Sequence, residues 1–493
     1  MKKYSKLIYP VCFVLLIAVI AFLSFYKLDV KYVDPWDEAR HGVNAYEMAN
    51  GGSLFQNTYL RQADYYNLKP PLSMWCIMLG MAIFGNGVFA LRFYSALCYV
   101  ILAIVAGVFV KKAYGTTESL LATAFLAVNV TPFQAHMIRA GDADSLFVLL
   151  FTLAMICMMQ IPQKKYNLYL CGLFFSLAFL AKSFHAGIIA VIGALYLILT
   201  GQIKKLTLKN WMLFLASVFV PLLLWAVPRA MVDGTVFFQK MWETDVLGRT
   251  DGTLQNNIAP FSYYAEYYLG AMSGSVTPYL CAFVICLVGL FVFNRFFVWK
   301  NREHYIGWIL WILVPFVAFS IVKNKLLWYM YPVLVPLLLA AGIVTARIIK
   351  CDKILPFFRT VMSVAILFIL LYYGGTVYNT IEAQEPNGFQ ELIKEVAARE
   401  EYKGLSAFVD YHLQEDGSIQ SAWSQQDVFV AEAYGDFICQ EDGVMGLMLR
   451  STILGKKGIL FAGEDVCAEY ETFYSGAELI AETDGYRAYL IEY

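Results

Sequence analysis

A chain of 493 residues that is 59% hydrophobic and 15% charged, with a mean hydropathy of +0.58, is not an ordinary water-soluble domain, which carries about 25% charge. Its formal net charge of −1 gives no sign of the basic patches that nucleic-acid binding uses, so no nucleic-acid partner is expected. Aromatic residues at 16% suit membrane-interface belts and a site that handles rings or lipid chains.

The first apolar run covers residues 8–26. Lys2, Lys3 and Lys6 precede it as in a signal peptide, but no small-residue cleavage site follows and many more apolar runs come after, so it reads as a membrane span. Further runs lie near residues 88–110, 118–131, 142–160, 167–182, 184–200, 209–229, 277–294, 305–322, 326–347 and 355–378. Helices of roughly 17–25 apolar residues cross a bilayer, which gives about 11 spans, with a range of about 11–13. Residues 73–84 are apolar but short and are broken by Gly85, Asn86 and Gly87; they read as a helix lying on the membrane surface.

Short loops rich in Lys and Arg stay cytoplasmic. Lys2/Lys3/Lys6, Lys111/Lys112, Lys164/Lys165, Lys204/Lys205/Lys209, Arg295/Lys300/Arg302 and Arg347/Lys350/Lys353 fall on one side of this span order. The N-terminus is then cytoplasmic, and loop 27–87, the 132–141 turn, loop 230–276 and the tail lie outside. Residues 1–379 therefore read as a transmembrane domain and residues 380–493 as an extracytoplasmic α/β domain. In the tail, apolar stretches at Leu405–Val409 and Gly458–Ala462 alternate with helical patterns at 390–399 and 444–449, and Asp484-Gly485 joins two apolar runs as a hairpin signal. Cys439 and Cys467 lie in this tail, where an oxidising face would permit a disulfide; pairing and free thiols both remain open. The other cysteines are scattered without metal-ligand spacing.

Charges beside a bilayer are costly unless solvated or paired, so they mark candidate sites. The first loop begins DPWDEARHGVNAYEMANGG and continues to YNLKPPL. Asp37 and Glu38 open a helix that Gly51-Gly52 closes, flanked by Trp36, Arg40 and His41. Helix capping alone explains acids there; a general base toward an attacking hydroxyl is the functional alternative. Pro70 and Pro71 stiffen the chain after Lys69, whose ammonium is then a ligand for a lipid phosphate, with Arg61 assisting. A snorkelling lysine is the plain alternative.

The turn HMIRAGDADSLF brings Arg139, Asp142 and Asp144 to the head of an apolar helix. LAKSFHAG places Lys182 and His185 between two apolar runs, and KNKLLWYMYPVLVP supplies Lys325 and Tyr329. Loop 230–276 carries Trp242, Glu243, Asp245, Arg249 and FSYYAEYYLG, a candidate acceptor groove. Cations on outer turns run against the positive-inside bias, which calls for an anion there, and a polyprenyl phosphate headgroup fits.

With these motifs in this order over residues 8–350, the chain resembles the membrane-embedded glycosyltransferases of the GT-C fold, in the branch of the aminoarabinose lipid A transferases and protein O-mannosyltransferases. The resemblance implies a multi-pass enzyme of the bacterial cytoplasmic membrane, expected to be a monomer among membrane lipids. It would transfer a sugar with inversion from a polyprenyl (undecaprenyl) phosphate to an unidentified outer acceptor. It assigns Asp37, Glu38 and Asp144 to catalysis and Lys69 and Tyr329 to the donor phosphate, to which the outer-turn cations Arg61, Lys325 and Lys182 are added from their position in the sequence. From their position beside these residues, Arg40, His41, Arg139, Asp142, His185 and Arg249 are candidates for acceptor binding or support. Leu68 stands where the aminoarabinose branch has an acid, and no histidine lies near Glu243-Thr244, so no zinc site is expected there, although a divalent metal remains possible. The alternative is a polyprenyl-lipid or sugar transporter or flippase, but transporters place ionisable residues near the bilayer midplane, whereas here they cluster at loop ends.

Overall fold

The computed structural model describes residues 2–134, 136–248, 257–269, 302–352, 354–441, 457–483 and 485–491. Arg249, the 277–294 run and the 444–449 helical pattern lie outside these residues.

Among the described residues, seven helices are long and apolar enough to cross a membrane: Leu7–Phe25, Val88–Ala113, Tyr166–Leu199, Leu208–Asp233, Arg302–Ile321, Leu327–Ile349 and Pro356–Glu382. The chain is a multi-pass membrane protein; of the about 11 spans expected, seven are found among the described residues, and the 277–294 run lies outside them. Among the described residues the difference comes from one run that forms too short a helix, one at the lower limit of length and two that join. The 118–131 run forms a helix of 13 residues (Thr116–Val128) and the 142–160 run one of 17 (Asp144–Gln160). At 1.5 Å per residue a 13-residue helix spans about 20 Å, short of a hydrocarbon core of about 30 Å. The runs 167–182 and 184–200 form one apolar helical stretch, interrupted by a 3₁₀ turn at Ser183–Ala186.

The helices that matter for the site are α1 (Lys2–Phe25), α2 (Asp37–Ala49), α3 (Leu72–Phe84), α4 (Val88–Ala113), α5 (Thr116–Val128), α6 (Asp144–Gln160) and α7 (Tyr166–Lys182). They are followed by α8 (Gly187–Leu199), α9 (Leu208–Asp233), α10 (Arg302–Ile321), α11 (Tyr331–Ile349) and α12 (Pro356–Glu382). Helix α11 is central: 78% of the apolar window over Leu327–Ile349 is buried, against 6% for α9 and for α12, whose side chains are left for lipid. Its close seat on α5 needs Gly342, where a Cβ would stand 2.4 Å from the Ala122 backbone.

The tail contains α13 (Gly388–Ala397), α14 (Gln425–Gly435) and a five-stranded sheet of order β4-β3-β5-β7-β6. Here β3 is Ser406–Asp410, β4 Ile438–Cys439, β5 Gly458–Gly463, β6 Glu478–Thr483 and β7 Tyr486–Ile491; β1 (Thr58–Tyr59) and β2 (Gln62–Ala63) pair in the first loop. Strand β3 runs parallel to β4 and β5, and β7 is antiparallel to β5 and β6. The expected hairpin closes with Thr483 opposite Tyr486 and Gly485 at φ 88°, a conformation open to glycine. Cys439 and Cys467 are both free, so no disulfide forms between them.

The tail is docked directly on the first loop. Helix α14 packs on α2, and a Cβ at Gly42 would lie 2.5 Å from the Phe429 ring. Tyr46 Oη donates to Asp436 Oδ1 at 2.6 Å. The Val33 N–H donates to Gln390 Oε1 at 2.9 Å, and Gln390 Nε2 donates to the Val33 carbonyl at 3.3 Å. Helix α12 continues to Glu382, so the junction with the tail begins after the last turn of that helix.

Candidate active site

Three loops converge at the mouth of the helical bundle. Asp37 begins α2, and Lys69 Nζ donates to its Oδ1 at 3.0 Å. The Asp37 side chain is 40% exposed. Burial opposes its ionisation, but the Lys69 ammonium, with His41 and His136, outweighs that cost and holds the carboxyl well below the usual range.

The second loop supplies His136 and Asp142, whose Nδ1 and Oδ2 form an ion pair at 2.6 Å. The contact is not aligned as a hydrogen bond, and Asp142 Oδ1 is also buried without one. Burial works against charge on His136, but Asp142, Asp144 and Asp37 raise it to about 9. Burial lifts Asp142 to about 6, with repulsion from Asp37 and Asp144 added and His136 opposing. The third contribution is a buried ion pair between Asp144, at the start of α6, and Lys182, at the end of α7. The Lys182 ammonium lies 5.7 Å from the Tyr329 ring centroid, and the His185 ring lies 4.9 Å from the same ring.

Three non-glycine residues in the left-handed region aim these groups. Trp36 (φ 69°) precedes Asp37, His136 (φ 55°) itself stacks on Trp328 at 3.7 Å, and Ser183 (φ 55°) follows Lys182. Such conformations each cost about 1–3 kcal/mol and collect at functional sites.

Glu38 is placed differently from its neighbour. Its carboxylate is fully buried and bound by Arg92 at 2.7 Å (Nε) and 2.9 Å (Nη2). It also accepts from the N–H groups of Asp34 and Gly141, each at 2.8 Å. Arg92 donates further to the carbonyls of Leu28, Lys31 and Tyr32. This knot ties the first loop, α4 and the second loop together. Removing one member of a buried pair strands the other charge, so Arg92→Met is expected to destabilise the protein by about 3–5 kcal/mol, measured by thermal or denaturant unfolding in detergent.

The remaining sequence candidates divide between this centre and the scaffold. His41 is buried beside Asp37: Nδ1 contacts the Asp37 carbonyl at 2.6 Å, and Nε2 has no hydrogen-bond partner. Burial, then the nearby Lys69, lowers its pKa to about 4. The unfolded chain therefore takes up the proton first, so the stability from neutral His41 is intact above the ordinary value of 6.5 and is lost as pH falls toward 4. The margin of the parent over His41→Gln should shrink on acidification from about pH 7 to about pH 4, by an amount on the order of 3 kcal/mol, as read by unfolding at the two pH values.

Arg40 forms a two-point ion pair with buried Asp64 (2.8 and 2.9 Å) and lies 3.5 Å from the Tyr59 ring centroid. Arg139 donates to the Tyr26 and Lys27 carbonyls after α1 and to Gln384. Lys325 Nζ donates to the Ser320 carbonyl at 3.0 Å and to the Val322 carbonyl, closing the end of α10 as cations do at helix C-termini. Arg61 is exposed, and the carboxyls that feel its charge are Glu47 and Glu432 at the α2–α14 contact. Arg61 and Lys325 are thus not drawn to the Asp37–Lys69 pair. Two contributors were not singled out from the sequence: Arg92, a lone charge inside an apolar run, and His136, which shares a short turn with Asp142.

Asp37, His136 and Asp142 each offer one ligand atom, all within 4.8 Å of one another. Two carboxylates and an imidazole suit a divalent cation, and the orphaned Asp142 oxygen fits a ligand role. The imidazole comes from the second loop, not from the large loop near Glu243 where the sequence offered none.

Residues 68–228 match the family model of the dolichyl-phosphate-mannose-protein mannosyltransferases. An undecaprenyl phosphate-α-4-amino-4-deoxy-L-arabinose arabinosyl transferase of Pseudomonas fluorescens is 25% identical over 66% of this chain and 58% of its own length. A protein of the same name from Shewanella sediminis is 25% identical over 74% of this chain and 66% of its own. The chain thus spans less than two thirds of the length of these relatives. The structure of ArnT from Cupriavidus metallidurans bound to undecaprenyl phosphate superposes with a TM-score of 0.67 at 16% identity, covering 97% of both chains. The archaeal oligosaccharyltransferase AglB from Archaeoglobus fulgidus gives 0.55 at 10% identity, covering 96% of this chain and 71% of that one.

The chain has the GT-C fold of these solved structures. The GT-C match to ArnT extends through the tail as well as the membrane helices, since it covers 97% of this chain.

Proposed function

We propose that this protein is an inverting glycosyltransferase that moves a sugar from a polyprenyl phosphate to an acceptor hydroxyl outside the cytoplasmic membrane. The observation that carries this reading is that the Asp37–Lys69 and Lys182–Asp144 pairs share one electrostatic neighbourhood: the carboxylates of both act on the His136–Asp142 pair. A sugar phosphodiester already has a good leaving group. It needs a proton acceptor for the nucleophile, charge compensation for the departing phosphate, and alignment. The acceptor oxygen attacks the anomeric carbon, the carbon–phosphate oxygen bond breaks on the opposite face, and the hydroxyl proton passes to Asp37. One displacement inverts the configuration.

Lys69 and Lys182 face the phosphate, Asp144 orients Lys182, and Tyr329 and His185 wall the same corner. Glu38 positions Asp37 through Arg92 and is not a base. Arg40 and Arg139 hold the loops. A divalent ion on Asp37, His136 and Asp142 would add positive charge beside the phosphate. The Lys/Arg pattern of the loops favours a cytoplasmic N-terminus, with this site and residues after Glu382 on the other face. The short helices α5 and α6, with the bent α7–α8 stretch and the 277–294 run, are the elements that would bring the crossings toward 11.

Purified protein given polyprenyl-phosphate sugars and cell-envelope acceptors is expected to release polyprenyl phosphate and form a glycosylated acceptor of inverted configuration. Movement of the lipid across proteoliposomes without any sugar transfer would instead establish a transporter.

A further inference from the structure

A second concavity lies where the tail meets the first loop. It has a volume of about 270 Å³ and is bounded by Tyr32, Val33 and Pro35 on one side and by α13, α14 and Tyr486 at the start of β7 on the other. That volume sits just below the range of about 300–1,000 Å³ common for small-molecule sites, which suits one ring better than a lipid chain. The site is braced by the double hydrogen bond between Gln390 and Val33. Its floor is a cluster of aromatic rings, with Phe389 centred 5.0 Å from Tyr411 and 4.8 Å from Tyr486.

The polar lining is distinctive. Gln420, Gln426 and Asn387 bring amides, which both donate and accept. Asp427, 4% exposed, is held by Tyr411 Oη at 2.6 Å and by Ser424. Among the described residues no lysine or arginine lines the cavity; besides tyrosines its titratable lining is His412 and Asp427, the latter's carboxyl pushed up by burial, so no permanent cation is there to hold an anion. Flat apolar rings beside bifunctional amides match a pyranose, whose C–H faces are apolar and whose hydroxyls donate and accept. The lining does not match a phosphate, a sulfate or a uronate.

We propose that this cavity binds an uncharged saccharide unit of the acceptor. Its place supports that use. Pro35 lines it and Asp37 follows two residues later, so their Cα atoms lie within about 7.6 Å of each other. A glycan seated here would present its next unit to the Asp37 centre, and the acceptor would then be a glycan or glycolipid. That purpose rests on the glycosyltransferase reading; the binding itself does not.

The test measures binding apart from turnover. Full-length protein in detergent is titrated with glucose, galactose, mannose, N-acetylglucosamine and N-acetylgalactosamine, followed by ligand-observed NMR, with glucose 6-phosphate as the charged control. At least one neutral sugar should bind, and the phosphorylated one should bind at least about tenfold more weakly. Tyr32→Ala and Gln426→Ala, on opposite walls and both solvent-accessible, should each weaken the neutral sugar about three- to tenfold and leave polyprenyl phosphate binding unchanged. Absence of binding by every neutral sugar, or binding indifferent to both substitutions, overturns the proposal. If pocket-dependent binding is present but no sugar transfer occurs with any acceptor, the pocket stands and the transferase reading fails. If transfer occurs but Tyr32→Ala and Gln426→Ala leave both sugar binding and acceptor KM unaltered, the pocket proposal alone fails.

Discussion

Asp37→Asn is expected to lower the turnover number by about 10²–10⁴-fold, the usual contribution of a positioned base, while donor binding persists. The substitution keeps the shape of the side chain but removes its ability to take a proton, together with the charge that pairs with Lys69. The pH profile separates this role from a merely structural one. In the resting protein Asp37 is only partly buried, which opposes its ionisation somewhat, and Lys69 beside it keeps the carboxyl well below the ordinary range. A donor phosphate that draws Lys69 toward itself returns the carboxyl toward its unperturbed value of about 3.9. The acid limb should therefore lie at higher pH in kcat, which reports the bound state, than in kcat/KM for the donor, which reports the free one. Normal transfer by Asp37→Asn would remove Asp37 from the chemistry and leave it as a cap of α2.

The second large effect is expected at Lys69. Lys69→Ala should weaken binding of polyprenyl phosphate about 10–100-fold, since a hydrogen bond to a charged group contributes about 1.5–3 kcal/mol. Lys69→Arg should recover part of that, because charge is kept while geometry changes. A lipid-phosphate titration monitored by native mass spectrometry reads both variants. Donor affinity equal to that of the parent in Lys69→Ala would show that Lys69 serves only as the partner of Asp37. The same substitution at Lys182 is a poorer probe, because Asp144 is buried with it and would be left as a stranded charge.

Two features of the site explain why its charges sit where they do. The carboxylates Asp37, Asp142 and Asp144 are answered by Lys69, His136 and Lys182, so the resting cluster is close to neutral. A phosphate arriving with its sugar therefore has to compete for cations already engaged, and binding is coupled to release of the carboxylates. In addition, three left-handed residues lie at or next to the reactive groups, and the Glu38–Arg92 knot fixes two of the loops that carry them.

The sequence by itself determined that the chain is a multi-pass membrane protein with a mixed α/β tail, because apolar run length and the Asp484-Gly485 turn are local signals. It also marked Asp37, Lys69, Asp144 and Lys182, since polar residues interrupting apolar runs are expensive and visible. Only the tertiary structure decided which charge meets which. Lys69 and Asp37 are 32 residues apart and Arg92 and Glu38 are 54, and nothing local distinguishes Asp37, which faces the site, from Glu38, which faces the scaffold. Lys325 looked equal to Lys182 from its surroundings, but the end of α10 claims its ammonium. The number of crossings was likewise a tertiary matter: hydropathy registers how apolar a segment is, whereas helix breaks such as Ser183 set how far it reaches.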